Sequence, residues 1–225
     1  MGGRPDDTAE HLIEIPIEGG VIEGTLGVPE AAPGIVVFAH GSGSSRHSPR
    51  NRFVAGALRE AGLATLLVDL LTPGEEALDL RTRGLRFDIA LLARRLGQVT
   101  GWVMGTPATH RLAVGYFGAS TGAAAALVAA VERPKVVRAI VSRGGRPDLA
   151  SEALSHVRAP TLLIVGGDDV AVIGLNQDAL RLLVVEKELV IVPGATHLFE
   201  EPGALEEVTR LAAGWFSRYL SGSPA

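Results

Sequence analysis

The chain has 225 residues, 47% of them apolar, and a formal charge of −4 at pH 7. That length suits one α/β domain around one core, so 1–225 is read as a single unit, and the near balance of charge argues against a nucleic-acid partner or a disordered chain. It has no cysteine, which excludes disulfides, a thiol nucleophile and a thiolate-bound metal.

The first residues, MGGRPDDTAEH, lack the basic start and apolar centre of a signal peptide. Residues 1–9 are expected to be flexible. No apolar stretch is long enough to span a bilayer, so a cytoplasmic location and no membrane partner are expected. Leu12 to Glu18 alternates apolar and polar residues, Gly19-Gly20 follows, and Val21 to Val28 resumes the alternation. This predicts an antiparallel hairpin on a glycine turn. Ile35 to Ala39 is a continuous apolar run, as in a strand buried on both faces.

His40-Gly41-Ser42-Gly43-Ser44-Ser45 comes directly off that strand, and Ser48-Pro49 predicts an N-cap followed by proline in the first turn of a helix over Arg50 to Ala61. Ala64 to Asp69 reads as the next strand. Leu70 to Leu80, with Pro73-Gly74, reads as a long loop. Leu85, Ile89, Leu92, Leu96 and Val99 keep helical spacing, which predicts a surface helix with Arg86, Arg94 and Arg95 mostly on its solvated side. Leu112 to Phe117 has strand character and runs through Gly118-Ala119-Ser120-Thr121-Gly122 into an alanine-rich helix. Val136 to Ser142, Pro160 to Gly166 and Glu188 to Val192 read as further strands. Val172 to Val185 and Leu205 to Tyr219 read as helices. The alternation after Gly34 implies parallel strands with helices on both faces, and places ligand chemistry at the C-terminal strand ends.

Acyl transfer needs a nucleophile, a base within reach and an acid that orients the base. Gly118-Ala119-Ser120-Thr121-Gly122 has the G-x-S-x-G form, in which a sharp strand-to-helix turn raises a serine hydroxyl above the sheet. Ser120 is therefore the candidate nucleophile. Of the histidines, His11, His110 and His156 fall at the wrong end or face, whereas His197 follows the last strand on the productive side. His197 is the candidate base. Asp168 and Asp169 both leave the strand ending at Gly166; one of two adjacent aspartates commonly caps a helix, and Asp169 is favoured as the acid. The amide of Thr121 and that of Ser42, with Gly43 next, are candidate oxyanion donors, and His40 is expected to brace their loop. A phosphate-cradling motif is absent: there is no G-x-x-x-x-G-K-[ST], and Gly41 to Arg46 does not complete G-x-G-x-x-G.

Taken together, the order Ser120, Asp169, His197 and the HGSGSS loop resemble the α/β-hydrolase superfamily over nearly the whole chain, and its compact dienelactone hydrolase-like group most. The resemblance implies a three-layer α/β-hydrolase fold with an eight-stranded, mostly parallel sheet, an N-terminal antiparallel hairpin and no cap domain. Dienelactone hydrolase itself uses a cysteine nucleophile, and this chain has none. The particular lactone is therefore not inherited with the fold.

The expected activity is hydrolysis of small soluble carboxylic esters or lactones through an acyl-enzyme, with no metal or organic cofactor. A thioesterase or acyltransferase using the same residues is the nearest rival, and a non-catalytic binding protein of the same fold a different class. Leu70 and Leu71 are expected to supply an apolar wall for substrate. Arg143 and Arg46 are candidates to hold a substrate carboxylate, with loop bracing as the alternative for each. Oligomeric state is not readable from the sequence.

Overall fold

The computed structural model describes residues 10–221; the expected flexibility of residues 1–9 lies outside them. Eight strands form one sheet in the order β1-β2-β4-β3-β5-β6-β7-β8. The hairpin of β1 (Glu10–Ile17) and β2 (Gly20–Gly27) is antiparallel, and β2 adds antiparallel to β4 (Ala64–Val68). From β4 onward all neighbours are parallel: β3 (Gly34–Ala39), β5 (Ala113–Ala119), β6 (Val137–Arg143), β7 (Thr161–Gly166) and β8 (Lys187–Val192). Every residue of β3, β4 and β7 is buried. Strands of that kind need cover on both faces.

On one face, α1 (Pro49–Glu60) and α6 (Ala204–Leu220) bring Val54, Leu58, Trp215 and Phe216 against Val36, Phe38, Phe117, Val141 and Ile164 of the sheet. The other face is covered by α3 (Ile89–Gly105), α4 (Thr121–Glu132) and α5 (Val170–Leu182), whose Leu92, Leu96, Val99, Leu127 and Ala179 pack on Val37, Leu66, Tyr116 and Leu163. The alanines Ala123 to Ala126 of α4 are all buried, because side chains this short let the helix lie close to the strands beside it. The result is three layers, with no inserted cap domain among the described residues. No described helix is long and apolar enough to cross a membrane.

Two stretches differ from the expectations set by the sequence. The segment read as a loop contains α2 (Pro73–Thr82), and the two parts of its start signal are Thr72 and Glu75. The Thr72 hydroxyl accepts from the Glu75 N–H at 3.2 Å, and the Glu75 carboxylate accepts from the Thr72 N–H at 2.8 Å. That reciprocal cap, with proline in the first turn, starts a helix where Pro-Gly alone suggests a turn. Leu85, in turn, lies in a separate 3-10 turn, and α3 begins only at Ile89, capped by Asp88. Arg95 is not on a solvated face: it is buried, donates to the Glu18 carbonyl and pairs with Glu75 at 2.7 Å. Arg86 pairs with Asp79 of α2 at 2.6 Å. Apolar periodicity finds the buried stripe of a helix but is blind to an arginine buried by its ion partner.

Candidate active site

The turn between β5 and α4 is set by its glycines. A Cβ on Gly122 would lie 2.1 Å from the Ala39 carbonyl oxygen and 2.5 Å from that of His40, and one on Gly118 would lie 2.4 Å from the Ala123 Cα. Only hydrogen fits there, so β5 can turn into α4 directly beneath the loop that follows β3. Ser120, between them, takes φ 49°, ψ −121°, a conformation that costs a non-glycine residue about 1–3 kcal/mol and persists only where the surroundings impose it. Its N–H donates to the Arg143 carbonyl at 3.3 Å, and its carbonyl accepts from the N–H groups of Ala123 and Arg146, both at 3.1 Å.

Gly122→Ala is therefore expected to destabilise by about 3 kcal/mol or more, since the obstructing atoms are backbone. Gly174→Ala, in α5 with nothing within 4 Å of the added carbon, is expected to stabilise by about 0.5–1 kcal/mol. Thermal unfolding of the two variants reads the contrast, and equal midpoints would contradict the packing argument.

His197 lies in the turn after β8 and Asp169 in the turn after β7. The His197 Nδ1 and the Asp169 Oδ2 are 2.6 Å apart, with the carboxylate side chain 14% exposed and the imidazole 39%. Asp169 precedes α5 but its side chain makes no cap hydrogen bond, which leaves it to the histidine. Asp168 is exposed and contributes its N–H to the Ala195 carbonyl at 3.0 Å. Ser120 and His197 line one cavity without being hydrogen-bonded to each other.

The loop after β3 comes close: a Cβ on Gly41 would lie 3.0 Å from that of Ser120. Its turn is closed by the Ser44 N–H donating to the Gly41 carbonyl at 3.1 Å, with Gly43 at φ 70°. His40 braces it, with Nδ1 3.0 Å from the Gly41 carbonyl and Nε2 accepting from the Leu70 N–H at 3.4 Å. Thr121 occupies the first position of α4, where the backbone N–H has no partner inside the helix.

Two cavities meet at this loop, sharing Gly41, Ser42 and Ser44. One, about 240 Å³, holds Ser120, His197, Arg143, Ser48, Arg50 and Asn51. The other, about 90 Å³, is lined by Thr121, Leu71, Leu80 and Leu92, with Glu76, Asp79 and Arg86 at its polar side. Burial works against the charge of Asp79, but hydrogen bonds from the Arg86 N–H and guanidinium win and hold its carboxyl below the ordinary value.

Of the residues singled out from the sequence, Leu71 faces this second cavity. Leu70 does not: it is wholly buried in the core beneath, against the expectation that both leucines form the wall. Arg46 is engaged elsewhere, pairing with Asp69 and Glu23 and so tying its loop to the end of β4 and the middle of β2. Arg50 and Asn51 of α1, Leu80 of α2 and Leu92 of α3 also line the two cavities; the sequence predicts helices around the first two and the last but gives no signal that these residues face the site. Among the described residues no three His, Asp or Glu side chains cluster as metal ligands would.

The family model of the dienelactone hydrolase family matches residues 22–219. The chain belongs to that family. It is similar to the crystal structure of dienelactone hydrolase from Anabaena variabilis, with 62% identity, a TM-score of 0.93, and coverage of 94% of this chain and 98% of that one. Est1E from Butyrivibrio proteoclasticus shares the fold at 15% identity and a TM-score of 0.78, over 94% of this chain and 99% of that one. A Mycobacterium tuberculosis protein provisionally named a phosphoribosyl transferase is 62% identical over 201 residues, which is 89% of this chain and 44% of the relative. The chain thus spans less than half the length of the curated relative it matches.

Proposed function

We propose that this chain is a serine hydrolase of small carboxylic esters or lactones. The observation that carries the reading is the Asp169–His197 pair at 2.6 Å, opening on the same cavity as a serine held at φ 49°. His197 takes the Ser120 proton as the hydroxyl attacks the carbonyl, and Asp169 fixes the imidazole tautomer and offsets the charge it gains. The Thr121 and Ser42 amides stabilise the tetrahedral oxyanion. The leaving alcohol takes its proton from His197, and a water activated by the same imidazole releases the acid from the acyl-enzyme. Apo geometry often leaves the nucleophile–base hydrogen bond to form with substrate present.

The small apolar cavity beside Thr121, lined by Leu71, Leu80 and Leu92, supports a short acyl chain or ring as one substrate part. Leu80→Trp is expected to lower kcat/KM for a hexanoate ester at least about tenfold relative to the acetate; an unchanged chain-length profile would remove that pocket from the substrate site. The transferase name of the mycobacterial relative belongs to a protein of which this chain covers 44%, and the Asp169–His197 pair beside Ser120 supports acyl transfer as the reading for this chain. A thioesterase or acyltransferase would use the same residues. Labelling by a fluorophosphonate at Ser120, with turnover of matched oxygen and sulfur esters in water and with an added alcohol, separates these readings. No labelling and no turnover across the panel would leave a binding protein instead.

A further inference from the structure

The turn from Arg143 to Arg146, at the end of β6, touches both halves of the candidate site. It meets the serine twice: the Arg143 carbonyl accepts from the Ser120 N–H at 3.3 Å, and the Arg146 N–H donates to the Ser120 carbonyl at 3.1 Å. Between these contacts Gly144 lies against the histidine. A Cβ there would stand 3.5 Å from both Cε1 and Nδ1 of the His197 ring and 3.1 Å from the His197 carbonyl oxygen, and its φ is 52°. An L side chain is strained in that backbone conformation, so a bare glycine peptide flanks the imidazole. The Gly144 N–H is fixed in turn to the Ile164 carbonyl of β7 at 2.8 Å.

The next peptide is held by Asn176 of α5. Its Nδ2 donates to the Gly145 carbonyl at 3.0 Å and to the Val172 carbonyl, one helical turn back, at 2.8 Å. Both partners are acceptors only, so the amide must present its NH₂ to them. The side chain is wholly buried, and its Oδ1 meets no protein donor. Burial and helix propensity both disfavour asparagine at such a position, and a residue that breaks local rules is expected where function requires it. Asp169 stands at the start of the same helix. The contacts therefore close a ring: Asp169 to His197, His197 against Gly144, Gly145 to Asn176, and Asn176 through α5 back to Asp169.

We propose that Asn176 is a positioning residue, which fastens the Gly144-Gly145 turn against His197 and so sets the imidazole between Asp169 and Ser120. It touches neither Ser120 nor the imidazole through a hydrogen bond of its own; it acts through the turn. The effect on turnover rests on the hydrolase reading, whereas the ordering of the imidazole does not.

Two measurements on Asn176→Leu and Asn176→Ala test it, since both variants remove the donors. The first is steady-state hydrolysis of 4-nitrophenyl butyrate. A misplaced base slows acylation and deacylation together, so kcat is expected to fall roughly 10- to 100-fold while KM changes less than about twofold. Thr109→Val serves as the control. It deletes a buried hydrogen bond, from the Thr109 hydroxyl to the Val103 carbonyl at 2.7 Å, beyond the opposite end of the sheet, and should leave kcat unchanged. The second is the NMR resonance of the His197 Nδ1 proton, assigned by its absence in His197→Gln. It should be seen in the wild type and in Thr109→Val, and be lost to faster solvent exchange in the Asn176 variants. Circular dichroism checks each fold, and should Asn176→Leu not fold, Asn176→Ala carries both readouts. An unchanged kcat, an unchanged resonance, or an equal loss of kcat in Thr109→Val overturns the assignment. A resonance that needs Asn176, in a protein that turns over no ester, supports the positioning role and removes the hydrolase reading instead.

Discussion

Replacing Ser120 by alanine is expected to lower kcat for ester hydrolysis by about four to six orders of magnitude while the protein stays folded. The backbone at this position is held by three hydrogen bonds, to the Arg143 carbonyl and from the Ala123 and Arg146 N–H groups. All of them survive the change, and alanine is no worse than serine at φ 49°. What goes is the hydroxyl. On the proposed mechanism the Thr121 and Ser42 amides and His197 remain and can act only on water, so a small residual rate over the uncatalysed reaction is expected. Steady-state kinetics checks the loss, and intact-protein mass after fluorophosphonate treatment should show the adduct in the wild type alone. Comparable turnover in the variant would put the chemistry on another residue.

The second large effect separates two adjacent aspartates. Asp169→Asn is expected to cost roughly 10³–10⁴-fold in kcat. An amide in place of the carboxylate can present its NH₂ to His197 Nδ1 at the same 2.6 Å contact, favouring the tautomer whose Nε2 carries the proton and cannot accept one from Ser120. Stability should change little, because the Asp169 side chain does not cap α5. Asp168→Asn leaves the backbone bond from residue 168 to the Ala195 carbonyl in place, so a loss under about threefold is expected there. Parallel kinetics on both variants decides it, and a larger loss at Asp168 would reverse the assignment.

Most of the fold was legible because its strands announce themselves. The runs at Ile35 to Ala39 and Pro160 to Gly166 are apolar without alternation, as strands covered on both faces must be, and they became β3 and β7. Asp169, His197 and the serine turn were legible for a related reason: each lies just past the C-terminal end of a strand, where the sheet itself fixes position. The remainder was not, and α2 shows why. Its only buried residue is Asp79, so no apolar stripe marks it and the signal lies entirely in Thr72 and Glu75. Leu70 and Leu71 show a second limit. Two neighbouring leucines in an irregular segment look alike in sequence, yet one is core and the other faces a cavity. Arg143 and Arg50, far apart in the chain, line one cavity because β6 ends and α1 begins at the same rim.

The polar anchoring of α2 bears on how such a site can change over time. Its segment is fastened by Asp79 to Arg86 and by Glu75 to Arg95, and it adds no apolar side chain to the core, yet Glu76 and Leu80 face the smaller cavity. Side chains that shape a pocket without supporting the core can be exchanged with little thermodynamic penalty. A library randomised at Glu76 and Leu80 should keep most of its members folded while their substrate preferences scatter, making this short helix the natural route by which one scaffold diversifies.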